Sequence, residues 1–269
     1  MTIRMILTDL DGTLLRSDKT ISERALAAID TALDAGIMVV PATGRSVVEI
    51  GRLLPSGLRS RVICSNGAVV YDAANERVLI HRPVSPTVLS AFVTELTDLD
   101  ANARFAVLTE AGWGFIAEPE YLGLMHPGDH GRRLETIQTA PLEELITHEA
   151  TKIVVRSSAT PLPELIAACE QAAHVGVVVT TSGVPFVEIS AAGVTKATAA
   201  AWIARQAGIS PQEVIAFGDS PNDLDMLQWA GRSVAMANAE PAVIDIADHI
   251  AGDNDQEGWA VVVEELLGI

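Results

Sequence analysis

The sequence predicts an α/β fold: a doubly wound, Rossmann-like parallel sheet interrupted by an inserted α+β domain. Three observations predict it. Up to Gly67, short apolar runs alternate with amphipathic segments in the order β-α-β-α-β. That grammar lapses near Pro83 and Pro86 and resumes near Thr195. Polar clusters also stand at the ends of the apolar runs, where an open α/β sheet collects ligands.

The first run, Met5-Ile6-Leu7-Thr8, leads straight into Asp9-Leu10-Asp11-Gly12-Thr13. Side chains of extended chain alternate faces, so carboxylates at i and i+2 share one side. At about 4 Å they repel by roughly 1–4 kcal/mol, which calls for a compensating cation. Thr20-Ile21-Ser22-Glu23 is a capping-box pattern, with Leu26, Ile29 and Leu33 as the apolar stripe and Gly36 as the stop. Residues 37–42 predict a buried strand ending at Thr43-Gly44-Arg45, and a short helix then runs through Val48 and Ile50 to Pro55. Residues 61–64 predict a third strand ending in Ser65-Asn66-Gly67, and 69–71 with 78–80 a hairpin.

After Pro83 the pattern turns to α+β. A helix over about 86–96 precedes an antiparallel pair at 104–109 and 114–117, and residues 119–148 read as polar and irregular. Strand 152–156, helix 163–173 and strands 176–181 and 185–189 follow. The reading places an inserted domain over 83–188, between core segments 1–82 and 189–269. The core resumes with helix 195–206, strand 214–217 running into Gly218-Asp219, helix 224–230, strand 233–237, helix 241–247, strand 249–251 and helix 259–267.

With 269 residues, 49% of them apolar and 20% charged, the chain is long enough for two real cores. A net charge of −17 argues against binding nucleic acid or anionic membrane, while leaving a small anion held by a local metal and a few cations open. Cys64 and Cys169 form no zinc-type spacing with the six His and read as unpaired thiols. Asp9 and Asp11 interrupt any signal-peptide pattern, and no stretch reaches the ~20 apolar residues of a membrane span. The expected location is cytoplasmic; the oligomeric state stays open.

Four clusters fall at strand ends: Asp9/Asp11, Thr43-Gly44, Asn66 and Gly218-Asp219-Ser220-Pro221-Asn222-Asp223, with Lys196 opening the helix after the insert. Singly each has a plain reading: Thr43 a helix cap, Asn66-Gly67 a turn, Lys196 a solvated lysine, the last loop an acidic helix start. Their joint placement points to one site. Gly112-Trp113-Gly114-Phe115-Ile116-Ala117 fits a dinucleotide pattern, yet a strand follows it rather than a helix. His126 and His130 are separated by Pro127 and Gly128, which precludes a shared helical face for a metal pair, and Arg45 reads as a bridge to a carboxylate.

In this order, "DLDGT", "TGR", "SNGA", a lysine after a long insert and "GDSPNDLDML" resemble the haloacid dehalogenase superfamily of phosphatases. The insert resembles the C2 (type B) cap of its Cof-type subgroup, although Ala197 follows the lysine where Gly is frequent. The resemblance implies Mg²⁺-dependent hydrolysis of small phosphomonoesters, sugar phosphates favoured, through an aspartyl-phosphate. It makes Asp9 the nucleophile, Asp11 the general acid/base and Lys196 the charge-offsetting cation. By the same resemblance Thr43 and the Gly44 amide would hold phosphoryl oxygens. Asp9, the Asp11 main-chain carbonyl and Asp219 would hold Mg²⁺, while Asn222 and Asp223 would position phosphate and metal-bound water. Chemistry agrees, since Mg²⁺ takes oxygen ligands and a carboxylate attacks a phosphate dianion only when charge is screened. A proton-passing Asp11 beside Asp9 is expected to have a raised pKa. A phosphosugar mutase, or a phosphate-binding regulator without catalysis, would use the same residues. A response-regulator receiver is disfavoured, because its acidic pair precedes the phosphorylated Asp and the module is much shorter.

Overall fold

A computed structural model describes residues 2–127 and 129–269. The chain opens with β1 (Met5–Thr8), α1 (Glu23–Asp34), β2 (Met38–Pro41) and α2 (Val47–Leu53). The cap of α1 is Ser22, whose hydroxyl accepts from the Ala25 amide at 3.0 Å. Thr20, the expected capping-box residue, instead bonds Asp18 through both its amide and its hydroxyl. β3 (Val62–Cys64), β4 (Val69–Asp72) and β5 (Arg77–His81) form their own three-stranded antiparallel sheet. The expected third parallel strand is therefore joined to β2's end by an isolated bridge, Ala42 to Ile63, rather than by a ladder. Positive φ at Ser65, Asn66 and Gly67 reverses the chain after three strand residues, and β4 folds back on β3.

The insert runs through α3 (Pro86–Leu99), β6 (Ala103–Thr109), β7 (Gly114–Ala117), α4 (Pro119–Leu122), β8 (Gln138–Thr139) and α5 (Leu142–Leu145). It continues with β9 (Lys152–Ser157), α6 (Leu162–Ala172), β10 (Val177–Thr180) and β11 (Val187–Ala191). Among the described residues, the stretch expected to be irregular thus holds two one-turn α-helices, two 3-10 turns and a two-residue strand. These strands make one sheet, ordered β10-β11-β9-β6-β7-β8 and antiparallel except at β7–β8. The chain then returns through α7 (Lys196–Ala207), β12 (Val214–Gly218), α8 (Leu224–Trp229), β13 (Arg232–Ala235), α9 (Pro241–Ile244), β14 (His249–Ile250) and α10 (Gly258–Leu267). The parallel sheet has the order β14-β13-β12-β1-β2, with β1 paired on both sides. Among the described residues, no helix is long and apolar enough to cross a membrane.

Strand alternation divides the cores. Met5 and Leu7 pack with Val214, Ala216 and α7, while Ile6 packs on the other face with Ile215, Phe217 and α1. Within the insert, Phe105, Val107, Ile153 and Val155 face α3 and α6; Ala106, Leu108 and Val154 face the other way with Tyr121 and Phe186. Insert and core also touch directly. Ala111, in the β6–β7 turn, belongs to the core's own cluster, and Trp113 meets Tyr71 edge-on at 6.1 Å between ring centroids. The guanidinium of Arg132 donates to the carbonyls of Gly112 and Trp113, both at 3.0 Å.

Gly67 fixes the start of α7 against the β3–β4 turn. Its φ is +102°, and a Cβ there would stand 2.1 Å from the Thr195 carbonyl oxygen. Gly67→Ala is expected to cost about 2–4 kcal/mol of stability, read as a lower urea midpoint at unchanged slope. A midpoint within error of wild type would refute this account of the turn.

Candidate active site

Parallel register sets the rim. Thr8 lies beside Pro41 and Phe217, so Asp9, Thr43 and Asp219 leave neighbouring strands at one edge. The Asp9 amide donates to the Phe217 carbonyl at 3.0 Å. Gly12 (φ +80°) lets the departing loop pass Asp219 so closely that a Cβ would sit 2.4 Å from its Oδ2. Gly218 does the same on the facing loop, where a Cβ would meet that of Asp223 at 2.6 Å.

Lys196, in the first turn of α7, is fully buried, and its Nζ donates to Asp9 Oδ1 at 2.5 Å and Asp223 Oδ1 at 2.6 Å. Burial alone would lower its pKa; Asp223 and Asp9 outweigh burial and hold it above the ordinary range. Burial pushes Asp9 well up, and the charges of Asp223 and Asp219 add to that against Lys196. Burial, then Asp223, raises Asp219 to about 6, although its oxygens accept from the hydroxyls of Thr13 at 2.8 Å and Ser220 at 3.1 Å. The second oxygen of Asp223 accepts from the amides of Asp219 and Ser220, both at 3.1 Å.

One carboxylate oxygen each from Asp9, Asp219 and Asp223 lie within 4.8 Å of one another. Three carboxylates against one ammonium leave an excess of negative charge, and the donors are oxygen alone, without His or Cys. That set fits a hard divalent cation. Asp11 stands outside it: its carboxylate takes a two-pronged contact from Arg45, 2.6 Å to each oxygen, and one from Lys19 at 2.9 Å. Burial would raise Asp11, but Arg45 and then Lys19 outweigh it and hold the carboxyl below its usual range. The expected raised pKa is therefore corrected, and the expected carboxylate partner of Arg45 is Asp11.

Thr43 is buried, and its hydroxyl accepts from the Arg45 amide at 3.1 Å. The Gly44 carbonyl accepts from Lys152 Nζ at 2.8 Å, while its N–H finds no acceptor among the described residues. Asn222 donates to Asn66 Oδ1 at 3.0 Å, and its own buried amide oxygen finds no partner among the described residues. Asp9, Asp11, Thr43, Gly44 and Asn222 all line a cavity of about 290 Å³ that the insert roofs with Asp129, His130 and Phe186.

Residues 6–263 match the haloacid dehalogenase-like hydrolase family. The chain belongs to that family. It is an enzyme of the family, a phosphatase. It is 30% identical to the pyridoxal phosphate phosphatase YbhA of Escherichia coli (strain K12), over 97% of each chain. It is 28% identical to the 5-amino-6-(5-phospho-D-ribitylamino)uracil phosphatase YcsE of Bacillus subtilis (strain 168), over 97% of this chain and 94% of that one. A haloacid dehalogenase-like hydrolase from B. subtilis superposes with a TM-score of 0.81 at 27% identity, covering 98% of this chain and all of the other.

Of the polar insert residues in this hydrolase, His126 is exposed, Arg132 is committed to the β6–β7 turn, and His130 lines the cavity. Gly128, one of the two residues expected to separate the histidines, lies outside the described residues. His130 is stacked between Phe115 (4.9 Å) and Phe186 (4.5 Å) and bonds the Tyr121 hydroxyl at 2.9 Å. Sequence reasoning passed over Lys152, Ser182 and Glu188, which also face the cavity. The available signal was a charged residue inside an apolar strand, in Phe186-Val187-Glu188-Ile189.

Burial, then the nearby charges of Lys152, Arg156 and Arg132, lowers the His130 pKa from 6.5 to about 3. Between those values the unfolded chain binds a proton that the folded chain refuses, so this contribution to stability is lost as pH falls below 6.5. The loss at pH 5 approaches about 2 kcal/mol. Denaturant titrations of wild type and His130→Phe at pH 7 and pH 5 should therefore converge on the acid side. Parallel curves would remove His130 as the source.

Proposed function

We propose that the chain hydrolyses small phosphomonoesters, sugar phosphates among the favoured substrates, in a Mg²⁺-dependent reaction through an aspartyl-phosphate on Asp9. The observation that carries this reading is Lys196 bridging Asp9 and Asp223 at the rim that also holds Asp219, with the cavity opening beside Asp9. On this reading residues 1–82 and 189–269 form the catalytic core and 83–188 the C2-type cap; the separate sheet and apolar cluster of the insert support two units, with β11 carrying the insert on to Ala191. The cavity volume supports a small substrate, and its polar lining a hydroxyl-rich one. The related phosphatases are named for small phosphorylated compounds. A net charge of −17 supports such a partner over nucleic acid, and two buried free thiols support a reducing, cytoplasmic setting.

Asp9 presents one oxygen to Lys196 and attacks phosphorus with the other, forming the acyl phosphate as the ester oxygen departs. Asp11 gives that oxygen a proton and later takes one from the attacking water, releasing phosphate and restoring Asp9. The Thr43 hydroxyl and the free Gly44 N–H hold phosphoryl oxygens, and Asn222 orients the group from the facing loop. Lys196 offsets charge on Asp9 and the phosphoryl group. Asp9, Asp219 and the Asp11 main-chain carbonyl would hold Mg²⁺, which when bound screens Asp9 from the incoming dianion. Asp223 accepts from Lys196 and from two amides of its own loop, and so orders that loop and the lysine beside the ion's place. As held by Arg45 and Lys19, Asp11 is anionic. A phosphate dianion competes for those two cations and so frees the carboxyl to carry a proton.

With Mg²⁺ the purified protein should release nitrophenolate from p-nitrophenyl phosphate, lose the activity to EDTA and regain it on adding Mg²⁺. Asp9→Asn should lower turnover by roughly 10³-fold or more. Undiminished turnover of Asp11→Asn across the pH range would remove Asp11 from the scheme, and indifference to chelation would remove the ion.

A further inference from the structure

Lys152 opens β9 and Glu188 sits on β11. Strand register places Glu188 beside Val154, so Lys152 and Glu188 are diagonal neighbours on the sheet face that looks into the cavity. Both are buried, and the ammonium of Lys152 donates to the Glu188 carboxylate. The pair's remaining bonds reach mostly out of the insert. Lys152 donates to the Gly44 carbonyl at 2.8 Å, and Glu188 accepts from Asn66 Nδ2 at 3.3 Å and from the Ser182 hydroxyl at 2.6 Å. Asn66 in turn accepts from Asn222. Three core loops, each leaving a different strand, are thereby tied in one chain that begins on the inserted sheet.

A buried ion pair is seldom kept for stability alone, because apolar residues of similar volume serve as well. Contact with a leaving group is the other obvious use, and capacity argues against it. A carboxylate offers about four acceptor sites, and Lys152, Ser182 and Asn66 take three at Glu188. We propose that the Lys152–Glu188 pair is a positioning device by which the inserted sheet sets the phosphate-binding loops at Gly44 and, through Asn66, at Asn222. Holding the Gly44 carbonyl fixes that loop with the Gly44 N–H uncommitted. The proposal rests on the phosphomonoester reading above.

The test compares Lys152→Met, Glu188→Gln and the double variant with wild type, all loaded with Mg²⁺. Turnover is measured on p-nitrophenyl phosphate and on glucose 6-phosphate, and inorganic phosphate serves as a competitive probe of the loops. Each single variant should lose between about 10- and 100-fold in kcat/KM, by the same factor on both esters. Phosphate inhibition should weaken by about tenfold. The double variant, with no unpaired buried charge, should keep the wild-type thermal midpoint and lose no more than the worse single one. A loss confined to one ester with phosphate inhibition unchanged would overturn the proposal and make the pair a leaving-group contact. Full activity in the folded double variant would overturn it as well. A wild type that neither turns over an ester nor binds phosphate would overturn the phosphomonoester reading along with it.

Discussion

Lys196 is buried with its ammonium between two carboxylates, and removing it would leave two acids buried side by side with no cation between them. Much of the architecture serves that contact. Asp9 arrives on β1 between two parallel neighbours, while Asp223 is locked by two amides of its own loop. Lys196 arrives on a helix whose start is pressed against Gly67. The same contact is incomplete in charge, because Asp219 brings a third carboxylate to the cluster. An oxygen-only cluster with more acid than it neutralises fits a hard divalent cation.

The insert is more than a roof laid over this centre. It places Ala111 in the core's own apolar cluster, Trp113 on Tyr71 and Lys152 on the Gly44 carbonyl. Two chain crossings and these contacts fasten it around the cavity. Displacing it would expose apolar surface and strand the ammonium of Lys152, so the closed arrangement is favoured by packing and electrostatics together.

Much of this was legible from the sequence where the signal was local. Asp9-Leu10-Asp11-Gly12 announces paired carboxylates on a strand end, and the changes of grammar near Pro83 and Thr195 mark the insert. Lys196 was legible only through its resemblance to a known motif, since a lone lysine opening a helix carries no signal of burial. Other features depended on partners far along the chain. The pKa of Asp11 is decided by Arg45, 34 residues away, rather than by its neighbour Asp9. Lys152 and Glu188 meet across 36 residues through strand register, which no local pattern encodes. The three residues of β3 suit a parallel or an antiparallel partner equally, and the positive φ values after them settle the matter.

The acidic rim beside the cavity differs in kind from the cavity's ceiling. At Gly12 and Gly218 the main chain lies so near the carboxylates of Asp219 and Asp223 that even a methyl group would collide with them. Substitution there cannot retune the chemistry; it can only break it. The segment Ser182-Gly183-Val184-Pro185-Phe186 lines the neighbouring cavity from the insert. Diversification in a mutant library is therefore channelled into the ceiling, because Gly12 and Gly218 leave no room for a side chain.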